Sequence, residues 1–408
     1  MSAKVWMQCQ ECGLLQQVPP LPSGASARCA RCGCTLRRHR PNSLDRTLAL
    51  TLAGTVLFVI ANSFPFLSFQ LQGQWTESTL MTGVKGLYGE GFWELAVVVL
   101  FTTVLAPGLQ LILLLSVLLP LRWNRLPKHF ATLFRWVHRL TPWGMMDVFL
   151  LGILVSVVKL SDMATLVPGS ALFAFVALIF VLAGAQSALD PHLVWSQVPL
   201  SRKIPPINPK APVLSCAVCS LVVPAPQPKG ALHCPRCGST LYHRKPESLQ
   251  RTWALLIAAI LCYLPANLLP IMQVTSFGRI QSDTIFSGVV FLLHHDMWPL
   301  ALIVFTASIF VPLLKLLILI FLVLSVQMRS SKHLRDRTHL YRITESIGRW
   351  SMVDIYVVTI LVALVRLGNL ATIEARSGAL FFALVVILTL FAAMSFDPRL
   401  MWDVGKRV

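Results

Sequence analysis

Charge is scarce in this 408-residue sequence, and acid is scarcest of all. Asp and Glu supply only 17 residues, and all charged types together make up 13%, about half the ~25% usual in a soluble domain. With 55% hydrophobic residues and a mean hydropathy of +0.69, that shortfall excludes an ordinary soluble domain and points to a polytopic membrane protein. An early hydrophobic run is missing too. Nothing apolar begins before about Leu44, and cysteines stand where an h-region would lie, so no cleavable signal peptide is expected and the N-terminus should be cytoplasmic. Catalytic signatures are also absent: there is no GxxxxGK[ST], and no HExxH or GxSxG in a plausible context. His294 and His295 stand beside Asp296, but the corresponding earlier positions hold Gly89 and Glu90, so the pair reads as chance. An enzyme is not expected, and any work must draw on ion gradients or on a partner.

The net charge of +18 would suit a nucleic-acid binder, but the location of the charge decides otherwise. Residues 1–46, 122–142, 190–251, 328–349 and 397–408 hold 7, 5, 8, 6 and 3 Lys or Arg, in all 29 of the 35. These are alternate loops of an eight-helix chain, whereas the intervening loops carry only Lys85, Arg279 and Arg376. That asymmetry is the positive-inside pattern, with both termini and the cysteine segments in the cytoplasm.

Two cysteine groups stand outside the apolar runs. In residues 1–43, Cys9, Cys12, Cys29 and Cys32 form two CxxC pairs, and in 190–245, Cys216, Cys219, Cys234 and Cys237 form two more. This is zinc-ribbon spacing. Each pair turns two thiolates toward one ion, and four close a tetrahedral structural site. Disulfides are the alternative, disfavoured by a reducing cytoplasm and by segments too short for a core of their own. Zinc is the expected cofactor, two structural ions in all, with iron its main competitor. Cys34 could replace Cys32 in the first group, and Cys262, inside an apolar run, reads as packing.

Two sets of four apolar runs follow the ribbons. The first set is about Leu44 to Leu67, Phe92 to Leu121, Trp143 to Leu160 and Ser170 to Leu189; the second is Leu249 to Pro270, Trp298 to Gln327, Trp350 to Leu367 and Gly378 to Phe396. Each can cross ~30 Å of hydrocarbon at ~1.5 Å per residue. The second run of the first set exceeds what crossing needs, so tilt, a kink at Pro107 or extension beyond the bilayer is expected. Residues Ser68 to Gly91 should form an outer loop. Arg122 to Pro142 reads either as an amphipathic segment on the inner leaflet or as a solvated loop.

The chain repeats itself. At an offset of 205, Ser43, Asn62, Trp93 and Pro107 match Ser248, Asn267, Trp298 and Pro312; at 207, Trp143, Asp147 and Asp190 match Trp350, Asp354 and Asp397. Four spans return a chain to its starting side, so the copies are parallel repeats. The expected fold is therefore an α-helical polytopic membrane protein of two four-helix repeats, each preceded by a cytoplasmic ribbon. Its units are ribbon 1 in 1–43, a first transmembrane module in 44–189, linker and ribbon 2 in 190–245, a second module in 246–396 and a tail in 397–408.

Ionisable groups in hydrocarbon are costly and mark function. Asp147 and Asp354 lie near the inner ends of corresponding spans, and Lys159 and Asp162 could share a helix face. Where the first copy has Gln110, the second has Lys315, more than a dozen residues from either end of its run. That lysine should be neutral, paired with Asp354 or Asp147, or facing a water-filled cavity; snorkelling is the plain alternative. Because only the second copy supplies Lys315, Asp354 is the expected working acid, and Asp147 is expected to be structural.

The paired ribbons, with LPANLLP (Leu264 to Pro270), DTIFSGV (Asp283 to Val289), GRWSMVDIY (Gly348 to Tyr356) and FAAMSFDPRLMWD (Phe391 to Asp403), resemble the paraquat-inducible protein A family over nearly the whole chain. The last motif and VALVRLGNLATI (Val362 to Ile373) look more like its PqiA branch than its LetA branch. The resemblance implies an inner-membrane component of a bacterial envelope lipid-transport system, handling phospholipid together with a periplasm-spanning MCE-domain partner. It also implies a polar transport network at Lys159, Asp162, Ser308, Lys315, Ser351 and Asp354. Here Arg366 and Asn369 replace the Lys-Asp pair in the second copy. Two other classes compete: a structural anchor that conducts nothing, and a secondary transporter of ions or amphiphiles acting alone. The ribbons are expected to dock on each other, to bind a regulator, or to cap helix ends.

Overall fold

Apolar helices dominate the computed structural model, which describes residues 5–71, 74–123, 125–127, 129–160, 165–225, 232–276, 279–294, 296–348, 352–364 and 371–403. Ribbon 1 consists of two hairpins, β1 (Val5–Gln8) with β2 (Leu15–Val18) and β3 (Ser26–Arg28) with β4 (Thr35–Arg38). Then come α1 (Ser43–Ser63), β5 (Leu67–Leu71), β6 (Gln74–Ser78), α2 (Leu80–Gly89), α3 (Trp93–Leu100), α4 (Ala106–Arg122), α5 (Phe130–Leu140), α6 (Met146–Leu160), β7 (Thr165–Pro168), α7 (Ser170–Ala188) and α8 (Pro191–Ser196). Ribbon 2 contributes β8 (Val213–Ser215), β9 (Val222–Pro224), β10 (Leu232–His233) and β11 (Thr240–Leu241). The second half runs through the same order: α9 (Ser248–Leu268), β12 (Met272–Ser276), β13 (Arg279–Asp283), α10 (Ile285–His294), α11 (Trp298–Phe305), α12 (Val311–Gln327), α13 (Leu334–Ile347), α14 (Val353–Leu364), β14 (Ala371–Ala375), α15 (Ser377–Ser395) and α16 (Arg399–Asp403).

Among the described residues, seven helical stretches are long and apolar enough to cross a membrane: Ser43–Ser63, Trp93–Arg122, Phe130–Val157, Ser170–Ala188, Ser248–Leu268, Ala301–Gln327 and Ser377–Asp403. The run expected over Trp350 to Leu367 lies partly outside the described residues, and its described helix, α14, has 12 residues. Where tilt, a kink at Pro107 or extension was expected, the helix carries a local irregularity. A π-helical segment, Phe101–Leu105, precedes α4, and Thr306–Phe310 does the same before Pro312. A proline ring collides with the carbonyl four residues earlier and offers no N–H, so a wider turn there accommodates it while the helix continues.

The outer loops expected between the first and second runs of each half contain regular structure. Strands β6-β5-β7 form one antiparallel sheet and β13-β12-β14 another. In each, the third strand comes from the connection between the third and fourth runs, pairing Leu67 with Pro168 and Met272 with Ala375.

Helices α1 and α7 pair, as do α9 and α15, and α6 meets α14 between the halves. At that crossing a Cβ on Gly152 would lie 2.8 Å from the Tyr356 Cβ, so only glycine allows the approach. The Tyr356 ring is fully buried against Phe149, with centroids 5.3 Å apart and edge-to-face geometry, and its hydroxyl donates to Thr102 Oγ1 at 2.9 Å.

The repeated Ser and Asp-Pro residues tie the ends of each half together. Ser43 Oγ donates to the Ala188 carbonyl and accepts from the Asp190 N–H; Ser248 does the same with Ser395 and Asp397. Asp190 Oδ1 then accepts from the His192 and Leu193 N–H groups, capping α8, with Pro191 at its first turn.

The ribbons cross over. Ribbon 2 packs on the first half, where Leu214, Cys216 and Val223 share a buried cluster with Leu118, Phe134 and Trp195. Ribbon 1 docks on the second half: Glu11 pairs with Arg342, Arg335 Nε donates to the Arg31 carbonyl at 2.8 Å, and Arg31 lies over the Trp402 ring. The ribbons also touch each other through Gln10 Nε2, which donates to Ser215 Oγ at 2.7 Å and to the Cys216 carbonyl. The amphipathic character of α5 is thereby explained. Its buried face, Phe130, Phe134, Val137 and Leu140, covers α4 and ribbon 2.

Candidate functional site

In each ribbon the residue after the second cysteine of a knuckle must turn through the left-handed region. Gly13, Gly33 and Gly238 have φ of 71°, 72° and 70°, and Ser220 takes the fourth such place at 55°. The turn lets the Gly13 N–H reach the Cys9 carbonyl at 3.0 Å, and the other three knuckles repeat the bond. The result is two buried four-sulfur groups, Cys9, Cys12, Cys29 and Cys32, and Cys216, Cys219, Cys234 and Cys237, each with all ligand atoms within 4.8 Å of one another.

The Cys9–Cys32 and Cys12–Cys29 sulfurs are 3.5 Å apart, and Cys216–Cys237 and Cys219–Cys234 3.4 Å. A tetrahedral ion with ~2.3 Å sulfur bonds has edges of about 3.8 Å, so both groups could hold a metal ion. Hydrogen bonding with Cys9, then burial, pushes the Cys12 thiol up, and the sulfurs of Cys216, Cys234 and Cys237 do the same to Cys219. Four crowded sulfurs ionise together only around a cation. Ser239 Oγ adds a hydroxyl 2.9 Å from Cys237 Sγ. Cys34 stays outside its group and turns to the Thr35 carbonyl, while Cys262 packs against the helix core.

The second polar site lies among the helices. Lys315 sits on α12, 2% exposed, and its Nζ donates to Thr389 Oγ1 at 2.9 Å and to the Gly348 carbonyl at 3.2 Å. Thr389 Oγ1 itself donates to the Val386 carbonyl, leaving its lone pairs for the amine. Among the described side chains no carboxylate lies within ion-pair distance of Lys315. The amine is therefore neither snorkelled to solvent nor paired with Asp147. Its direction is informative: Thr389 is six residues from the end of α15, so the side chain reaches toward the ribbon-bearing end. Ser308, in the π-helical segment, is 1% exposed, and its hydroxyl has no hydrogen-bond partner among the described residues.

The remaining residues of the expected network are differently placed. Asp354 is in the first turn of α14 and Lys159 is next to last in α6, but both side chains lie outside the described ones. Ser351 and Asp162 lie outside the described residues altogether. Asp147 is exposed and lines a cleft of about 200 Å³ with Gln110, Gly144 and Gln186. Gln110, at the position of Lys315, is itself 2% exposed, so the first half holds a neutral amide where the second holds an amine.

Sequence reasoning missed three partners. Thr389 is a lone hydroxyl in the apolar run FFALVVILTLF, Tyr356 stands inside the motif around Asp354, and Arg342 lies in a basic segment read only for topology. The signal for the first two was polarity within otherwise apolar spans; for Arg342 there was none.

A model of the family described as paraquat-inducible protein A matches residues 44–199 and again 249–405. The chain is 36% identical over 403 residues to the intermembrane transport protein PqiA of Escherichia coli strain K12, covering 97% of this chain and 95% of that one. It is 34% identical over 398 residues to the lipophilic envelope-spanning tunnel protein A of the same strain, covering 98% and 91%. No solved structure matches the chain.

Proposed function

Because the chain belongs to the paraquat-inducible protein A family, we propose that it is the inner-membrane component of an MCE-type envelope lipid-transport system, moving phospholipid between the inner membrane and a periplasmic MCE tunnel. The names of its relatives, an intermembrane transport protein and an envelope-spanning tunnel protein, support transport and disfavour an enzyme. The observation that carries the reading is Lys315, a buried amine whose two contacts among the described residues are neutral oxygens. A scaffold has no use for such a group, whereas a headgroup phosphate does.

In this reading Lys315 offers the cation, Asp354 sets its protonation, and Ser308, whose hydroxyl has no partner among the described residues, adds a donor. Lys159, Asp162 and Ser351 complete the network. The ribbons each hold one zinc and lie in the cytoplasm with both termini, as the distribution of basic residues favours. Helix α14 is the eighth span, the counterpart of α6, and the units are the two ribbons, the modules 44–189 and 246–396 and the tail. The double match of the family model to 44–199 and 249–405 supports two parallel repeats.

The test is replacement of Lys315 or Asp354 by Ala in cells that depend on the system. Envelope function should be lost at normal protein levels; full function in both variants sinks the proposal.

A further inference from the structure

A hollow of about 570 Å³ opens where the ribbons meet the ends of α5 and α7, within the ~300–1,000 Å³ of ligand pockets. Arg37, Arg38 and Arg40, at the end of β4 and just beyond, line it beside Asp190 and His192. A second hollow of about 280 Å³ shares Arg38 and Arg40 and adds Arg46. The first hollow thus sets three arginines against one carboxylate, and the second adds Arg46 with no carboxylate in its lining.

Some of that charge is already engaged. Asp190 caps α8 through Oδ1, and Arg40 donates to the Gln186 carbonyl at 3.1 Å and to that of Leu189, closing the end of α7. Arg37 is not so engaged: its Nε is buried with no hydrogen-bond partner among the described residues. Burial lowers the pKa of His192, and the nearby Arg37 and Arg236 lower it further against Asp190, so the local field is positive. One wall is apolar, made by the buried Phe134, Val137 and Trp195.

Unpaired guanidinium beside an apolar wall, next to helix ends, matches a phosphate that carries an organic body. We propose that this hollow binds a phosphate group, held by Arg37 and Arg38 and approached past Arg46, and borne either by an anionic glycerophospholipid of the adjacent leaflet or by a soluble phosphate ester. The site rests on the membrane placement above only for which leaflet lies beside it, and not on any role of Lys315.

The full-length protein in mixed phosphatidylglycerol and phosphatidylcholine nanodiscs, released for native mass spectrometry, tests it. Wild type should retain phosphatidylglycerol, and the Arg37→Gln, Arg38→Gln double variant about tenfold less. Arg38 is exposed, so Arg38→Gln alone, expected to show part of the loss, guards against misfolding of the double variant. Glycerol 3-phosphate that displaces the lipid, or raises the Tm of wild type but not of the variants, supports the site with a soluble ester as its source. Equal retention by wild type and both variants, with no response to glycerol 3-phosphate, overturns the proposal. Because binding rather than transport is read, that failure is separable from a failure of the Lys315 reading.

Discussion

Lys315 carries three N–H donors and, among the described residues, meets two oxygens, both neutral. Thr389→Val should cost about 1–3 kcal/mol, because a buried amine loses one of its two described partners, and the Tm of the purified protein should fall accordingly. Ser308→Ala should behave differently. Its hydroxyl is buried without a partner among the described residues, so deletion should leave Tm unchanged or raise it slightly, while envelope function drops if the hydroxyl serves a ligand. The position of Lys315 was legible in the sequence, since a lysine deep in an apolar run is conspicuous. Its partners were not. Gly348 and Thr389 are 33 and 74 residues away, and nothing in a linear pattern says which of several hydroxyls an amine will reach.

At the scale of elements, the contact between the halves rests on the crossing of α6 and α14. A methyl at Gly152 would meet the Tyr356 Cβ at 2.8 Å, well inside van der Waals contact, and the two backbones would have to separate. Gly152→Ala should therefore lower Tm more than Tyr356→Phe, which loses only the hydrogen bond to Thr102, about 1 kcal/mol. The reverse ranking would mean that the helices part easily. Helix existence was readable from the apolar runs, and the sites of their irregularity from Pro107 and Pro312. The form of the irregularity, a π-helical turn, was not, because proline says only that a carbonyl must move aside. The two three-stranded sheets were missed for a related reason: β5 and β12 each depend on a third strand some hundred residues later.

Across the whole molecule, the crossed ribbons make each half depend on the other's four-cysteine group. Ribbon 1 is fixed to α13 by the Glu11–Arg342 pair, with Arg342 Nε 2.7 Å from Glu11 Oε2, and ribbon 2 covers α5. The ribbon 1 core is built around the four cysteines, with only Leu14, Cys34, Leu36 and Trp402 packed against them, so without an ion little apolar burial holds it together. Metal analysis should give two zinc per chain in protein purified without chelators, and fewer would refute at least one four-cysteine group. Chelation should then expose α5 and α13 together in amide exchange while leaving α1, α7, α9 and α15 protected; protection unchanged at α5 and α13 would show that the ribbons do not brace them. Local chemistry let the sequence alone determine the membrane class, the cysteine groups, the repeated pattern and the family resemblance: hydropathy, CxxC spacing and the placement of Arg and Lys are properties of short stretches. Only the tertiary structure decided that each ribbon docks on the opposite half, that Lys315 finds neutral oxygens rather than a described carboxylate, and that Arg37 lines a hollow with its Nε unpartnered among the described residues. Those outcomes depend on which surfaces meet after the chain has folded, and no pattern within a short stretch specifies them.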